Sequence, residues 1–252
     1  MQKNEYLLRF TLRLADDALI LGHRLCEWSG KAPILEEDLA LSNIALDLMG
    51  RAESLYRYCA ELENKNNNED YFAYRRDERQ FQNHLITEQE NGDFAHTIVR
   101  QFIFSTYELH AYTILSKSKD EHLAAIANKT LKEIKYHVKH SRGWCIRLGK
   151  GTEESFKRMQ LAIDDLWMYT GELFELDSID QWLIDAGVIS DISKIKNICL
   201  EEIKNCFESC KLSIPDNMFM QSGGKKGIHT EHLGFILAEM QYLQRAYPNA
   251  KW

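Results

Sequence analysis

Carboxylates and imidazoles recur at helical spacing through this chain, and they are the raw material of a metal-bridged carboxylate centre. Glu133 and His137 stand four apart, so they share one face of a helix, with His140 beside them. Such a set can ligate a metal or act as an acid–base pair; the plainer alternative is an ion pair within a bundle. Asp16, Asp17, Asp47 and Glu108 are further carboxylates that a site could draw on from other helices. In one of two competing readings the chain is a metal-binding oxidoreductase in its own right, with Asp17, Asp47, Glu108, Glu133 and His137 as an unorthodox carboxylate/His metal set.

A di-iron carboxylate centre in a four-helix bundle sets a stricter test. It takes one Glu from each of two helices and a Glu-x-x-His from each of the other two. The one [Asp/Glu]-x-x-His match is Asp93-Phe94-Ala95-His96, which follows Asn91-Gly92 and reads better as a helix cap with His96 in the first turn. Three residues after Asp47, where a His ligand would stand, the chain has Gly50. One turn after Asp47 comes Arg51, a guanidinium that pairs with a carboxylate and keeps poor company with a dication. The pattern of a metal centre is therefore incomplete, and no catalytic, cofactor-binding or metal residue is assigned. A mononuclear or adventitious metal site stays open, and a buried charge cluster in place of a metal is a third reading; it expects Asp47 and Glu133 to meet Arg, Lys or His.

Other constellations are weaker. His229, Glu231 and His232 gather before a helical pattern and suit a polar interface as well as a metal. Ser222 to Gly227 lacks the phosphate-loop spacing and has no preceding strand. No Ser–His–Asp or Cys–His arrangement stands out. Trp144, Trp167, Tyr169, Trp182, Phe219, Phe235, Tyr242, Tyr247 and Trp252 crowd the second half; some suit a partner surface, where Trp and Tyr are enriched.

These residues must be positioned by helices. Of three prolines, none falls between Ile34 and Ile214, which leaves room for long unbroken helices. Leu8, Leu12, Ala15, Leu19, Gly22 and Cys26 predict a helix over 4–28. Leu41, Ala45, Leu48, Ala52, Leu55, Cys59 and Leu62 predict another over 35–64, antiparallel to the first across the turn 29–33. Residues 71–90 hold one or two short helices. Long helices follow over 93–118, 120–148 and 152–169, with Asp93, Asp120 and Thr152 at their starts. Shorter ones are expected over 178–186, 192–211 and 230–246, with an exposed loop over 216–227. The expectation is an all-α fold, one domain over 1–252 with a long four-helix core and additional shorter helices.

Composition narrows the function classes. The 252 residues carry a net charge of −7 and are 44% hydrophobic. That is an ordinary globular balance with no basic footprint for nucleic acid. No apolar run approaches the ~20 residues needed to cross a bilayer. Charged residues interrupt the N-terminal apolar pattern, so no signal peptide is expected. None of the six cysteines forms Cys-x-x-Cys, and all fall in helical patterns, which suits reduced packing residues in the cytoplasm.

Several blocks carry a resemblance. They include Asp16-Asp17-Ala18-Leu19-Ile20-Leu21-Gly22-His23-Arg24-Leu25, Asn43-Ile44-Ala45-Leu46-Asp47-Leu48 and Asn91-Gly92-Asp93-Phe94-Ala95-His96-Thr97-Ile98-Val99-Arg100-Gln101-Phe102. Lys132-Glu133-Ile134-Lys135-Tyr136-His137, Gly151-Thr152-Glu153-Glu154-Ser155 and His229-Thr230-Glu231-His232-Leu233-Gly234 continue it. The chain closely resembles the PaaC subunits of the phenylacetyl-CoA epoxidase complex, also called phenylacetate-CoA oxygenase. The resemblance implies a ferritin-like helical fold and a place in a bacterial monooxygenase that epoxidises the ring of phenylacetyl-CoA. It implies a non-catalytic structural role beside a related di-iron subunit, with self-association also expected. Iron is then bound by that partner, and the electrons come from NADPH through a reductase. It assigns no catalytic residue to this chain.

Overall fold

The computed structural model describes residues 2–248 and 250. Among them there are ten α-helices and no strand: α1 Gln2–Cys26, α2 Leu35–Glu63, α3 Glu69–Tyr74, α4 Leu85–Glu88, α5 Phe94–Leu115, α6 Glu121–Gly149, α7 Glu153–Leu166, α8 Ser178–Asp185, α9 Lys196–Glu208 and α10 Glu231–Ala246. The all-α expectation holds. Four helices are long, at 25, 29, 22 and 29 residues for α1, α2, α5 and α6. Trp252 lies outside the described residues.

Local chemistry sets the boundaries. Asp93 accepts the backbone N–H of His96 at 3.0 Å, Asp120 that of Leu123 at 3.0 Å, and Thr152 that of Ser155 at 3.1 Å. Each satisfies an N-terminal donor that the helix itself cannot. Asn64, in the left-handed region at φ 52°, ends α2. The predicted helix over 152–169 keeps its α geometry to Leu166 and finishes as a 3₁₀ turn over Trp167–Tyr169. Likewise Ile192–Ile195 is a 3₁₀ turn leading into α9.

The chain packs as two compact units. The first holds α1, α2 from Asp38 onward, α3, α4 and α10. Here α1 and α2 run antiparallel: Gly22 faces Ala45, Leu48 and Met49, while Asp16 reaches Tyr56. A Cβ at Gly22 would lie 3.1 Å from Met49 Cε and 3.3 Å from Leu48 Cβ, so glycine lets the two helices approach closely there. Leu19, Ile20, Leu21 and Leu25 from α1 and Leu41, Ile44, Leu48 and Leu55 from α2 are buried in this core.

The second unit holds residues 32–37 and α5 to α9. α5 and α6 are antiparallel: Ser105 Oγ lies 3.5 Å from Ser141 Oγ, and Asn128 donates to the Ser116 carbonyl at 3.2 Å. α5 is buried around most of its circumference, polar positions included, as Arg100, Gln101, Ser105, Thr106 and Glu108 show. A helix enclosed on all sides is the hub of its unit. α9 packs on it through Phe102 and Phe207, whose ring centroids lie 5.7 Å apart.

Candidate functional site

The densest buried polar chemistry lies in the first unit, where α1 brings Asp16 and Asp17 inward among Ala15, Ala18 and Leu19. Asp16 is fully buried and fully engaged. It accepts from Tyr56 Oη at 2.6 Å, from Arg76 Nη1 at 3.1 Å and from the Gln82 backbone N–H at 2.8 Å, with a second, short bond from Arg76 Nη2. Arg76 uses its other donors on the carbonyls of Phe72 at 2.6 Å and Gln80 at 2.9 Å. Its guanidinium lies 4.1 Å from the centroid of the Phe81 ring. Burial and the Asp16 charge push the Tyr56 phenol well above its usual range. Burial opposes the Arg76 charge, but Asp16 outweighs it and the pKa rises.

Asp17 is committed to His84, accepting its backbone N–H at 2.7 Å and facing its ring Nδ1 at 2.8 Å. Glu88, at the end of α4, is wholly enclosed and holds the entry to α10. Its carboxylate accepts from the Thr230 backbone N–H and hydroxyl, both at 2.7 Å, and from Asn83 at 2.9 Å. The His229 ring Nδ1 lies 2.8 Å away. The Glu88 backbone carbonyl receives Arg24 Nε and Nη2 at 3.0 and 2.9 Å. The segment from Gln82 to Glu88 is thereby tied to α1 on one side and α10 on the other.

His229 also presents Nε2 to the Phe81 carbonyl at 2.9 Å. Both ring nitrogens face acceptors, and only the imidazolium has two N–H donors. Burial opposes that charge, but the Glu88 bond and charge, helped by Phe81 and Asp16, raise the His229 pKa. The loop before it depends on Gly227, at φ 73°, where a Cβ would fall 2.2 Å from the Arg79 carbonyl oxygen.

The second unit pairs its own charges. His140 Nε2 lies 2.8 Å from Glu37, both side chains nearly enclosed, and the Tyr136 ring sits beside the imidazole. His96 sets Nδ1 on Asp93 at 2.9 Å and Nε2 on Asp165 at 3.0 Å, while Arg158 donates to Asp93 at 3.1 Å. Asp93 and His96 thus combine as a helix cap within an ion-pair cluster.

The metal set anticipated from the sequence falls in both units. Asp17 is occupied by His84. Asp47 is half-buried on α2, and Gly50 is exposed; the buried position of that turn belongs to Arg51. Glu108 and His137 are buried and Glu133 half-buried. From the Ser105–Ser141 contact, three residues on along α5 and four back along α6 bring Glu108 and His137 to one level of the helix pair. Among the described residues, no group of three or more His, Cys, Asp and Glu side chains gathers so as to hold a metal ion. Nor is any described helix long and apolar enough to cross a membrane.

A metal ligand must offer a lone pair that no proton claims. Asp16 and Glu88 each accept several N–H or O–H bonds, and Asp17 is filled by His84, so these carboxylates do not fit a di-iron centre. They fit a structural clamp. The family model described as "Phenylacetic acid catabolic protein" matches residues 1–252. The chain belongs to that family. A curated relative, one of the subunits of the 1,2-phenylacetyl-CoA epoxidase of Escherichia coli (strain K12), is 48% identical over 246 residues, covering 98% of this chain and 99% of the relative.

In this member of the phenylacetic acid catabolic family, sequence reasoning missed Tyr56, Arg76, His84 and Glu88, and the pairing of His140 with Glu37 rather than along its own helix. One local signal pointed the right way. Two adjacent aspartates flanked by alanines inside an apolar helical pattern must bury at least one carboxylate, and a buried carboxylate needs a donor set.

Proposed function

We propose that this chain is a non-catalytic structural subunit of a cytoplasmic monooxygenase complex that epoxidises the ring of phenylacetyl-CoA in aerobic phenylacetate breakdown. It binds the catalytic di-iron subunit of that complex and keeps it folded and soluble. Iron, oxygen activation and the NADPH-derived electrons belong to the other subunits.

The observation that carries the reading is the filling of Asp16 by Tyr56, Arg76 and Gln82. A guanidinium held against this carboxylate takes up lone pairs that a metal ion would have to claim. The reading is further supported by the full-length likeness to a relative named as part of an epoxidase. Stable protein–protein interfaces bury of order 800 Å² per side. Exposed apolar side chains are available for this on α2, with Leu35, Leu39 and Leu46, and on α10, with Phe235, Tyr242 and Leu243.

Co-expression tests it. The catalytic subunit made with this chain should be soluble and should epoxidise phenylacetyl-CoA when given reductase and NADPH. Made alone, it should lose most of its soluble yield or activity. Equal yield and activity without this chain contradict the proposal.

A further inference from the structure

We infer that the outer face of α10 docks a basic amphipathic helix of a different polypeptide, the partner subunit of the reading above, on which this inference rests. α10 buries Leu233, Ile236, Leu237 and Gln241 against its own unit. On the opposite side Phe235 and Tyr242 are each 65% exposed and two helical turns apart, with Leu243 and Tyr247 exposed beyond them. Two exposed aromatics on one helical row are the kind of anchors that dominate interface energetics.

Beside this row runs an open groove of about 630 Å³, with Gly234, Leu237 and Ala238 along its length and Tyr242 and Ala246 at its far end. The small residues leave room for a helix to lie close to α10. A Cβ at Gly234 would stand 3.4 Å from the Glu78 carboxylate, so even that wall closes on the groove without filling it.

Charge selects the occupant. Asp77 and Glu78 line the groove, and Glu231 and Glu239 are exposed on α10. Arg245, the one cation among the described residues lining the groove, is already spent. It donates to Asp77 at 3.0 Å, to the Arg76 carbonyl at 2.9 Å and to Gln241 at 2.9 Å. The side chains of Glu78, Glu231 and Glu239 have no hydrogen bond or ion pair among the described residues. A second copy of α10 would bring the same carboxylates against these, which like-charge repulsion disfavours. A foreign helix presenting apolar side chains flanked by Lys or Arg satisfies both the aromatic row and the acidic rim.

The test uses the full chain and the catalytic subunit, with affinity and association rate measured at low and high salt. Phe235→Ser with Tyr242→Ser should weaken binding at least tenfold. Glu78→Lys with Glu239→Lys should slow association several-fold and flatten its salt dependence. All four positions are solvent-facing, so thermal melting should stay unchanged and separates a docking defect from misfolding. If the wild-type chain binds and both variants bind equally well, the α10 surface is overturned while the subunit reading stands. If the wild-type chain does not bind at all, both fall. If the serine variant instead loses only self-association in sedimentation, the occupant is a second copy and the inference is overturned.

Discussion

His229 and Glu88 form a fully enclosed ion pair in which the imidazole, held also by the Phe81 carbonyl, must donate from both nitrogens. The folded state therefore binds a proton that the unfolded chain releases more readily. A raised histidine pKa contributes stability that is fully present below the unfolded value of about 6.5 and is lost as pH rises through the higher folded value. The stability that this pair contributes should thus fall between pH 6 and pH 8.5 in urea unfolding. His96 is shifted in the same sense and His23, lowered by burial, in the opposite one, so the difference from His229→Gln is the diagnostic. That variant should lose about 3–5 kcal/mol at pH 6, the cost of breaking a buried pair, and less at pH 8.5. An equal loss at both values would contradict the imidazolium assignment.

Among the described residues Arg76 is the one cation bonded to Asp16, and removing it leaves a buried carboxylate with Tyr56 and Gln82 alone. Arg76→Met should cost about 3–5 kcal/mol by urea unfolding. Adding Asp16→Asn removes the uncompensated charge, so the double variant should be no less stable than Arg76→Met. Additive losses in this double-mutant cycle would show that the two residues act separately.

Gly50 stands where a Glu-x-x-His-type ligand would fall, yet it is exposed, and a Cβ there meets nothing within 4 Å. Gly50→His should fold normally, with about 0.3 kcal/mol gained from better helix propensity. Because the new imidazole faces solvent, iron content measured by plasma emission should not rise. Iron gained in this variant would mean that α2 turns a different face inward.

Cysteine chemistry should follow burial. Cys26 is exposed, whereas Cys59, Cys145, Cys199, Cys206 and Cys210 are buried. Burial pushes Cys199 up to about 12 and Cys206 to about 11. At pH 8 a disulfide reagent should titrate about one thiol per native chain, and all six after denaturation. Rapid reaction of several thiols in the native chain would contradict the packing of α6 against α9.

What the sequence made legible was local. Asp93, Asp120 and Thr152 cap helices because a side-chain oxygen two or three residues ahead of a bare N–H is a short-range relation. The 3.6-residue periods of α1 and α2 were equally plain. The clamp was not, because its members lie far apart in the chain: 60 residues separate Asp16 from Arg76, and 141 separate Glu88 from His229. Helical spacing offered Glu133 as a partner for His137, while His140 next to them reaches Glu37, 103 residues away. No periodicity encodes such meetings; they depend on how loops return the chain, as the tight turn at Gly227 does beside Arg79. Spacing alone also could not say which face of α2 turns inward: Gly50, three residues after Asp47, is exposed, and the buried position of that turn belongs to Arg51.

In the proposed division of labour this chain supplies architecture and its partner the chemistry. Iron analysis of the chain purified alone, after expression in iron-supplemented medium, separates that division from its rival. Far less than one iron per chain is expected, unchanged by Glu133→Ala or His137→Ala, with stoichiometric iron only when the catalytic subunit is present. One or two irons per isolated chain, lost in either variant, would contradict it.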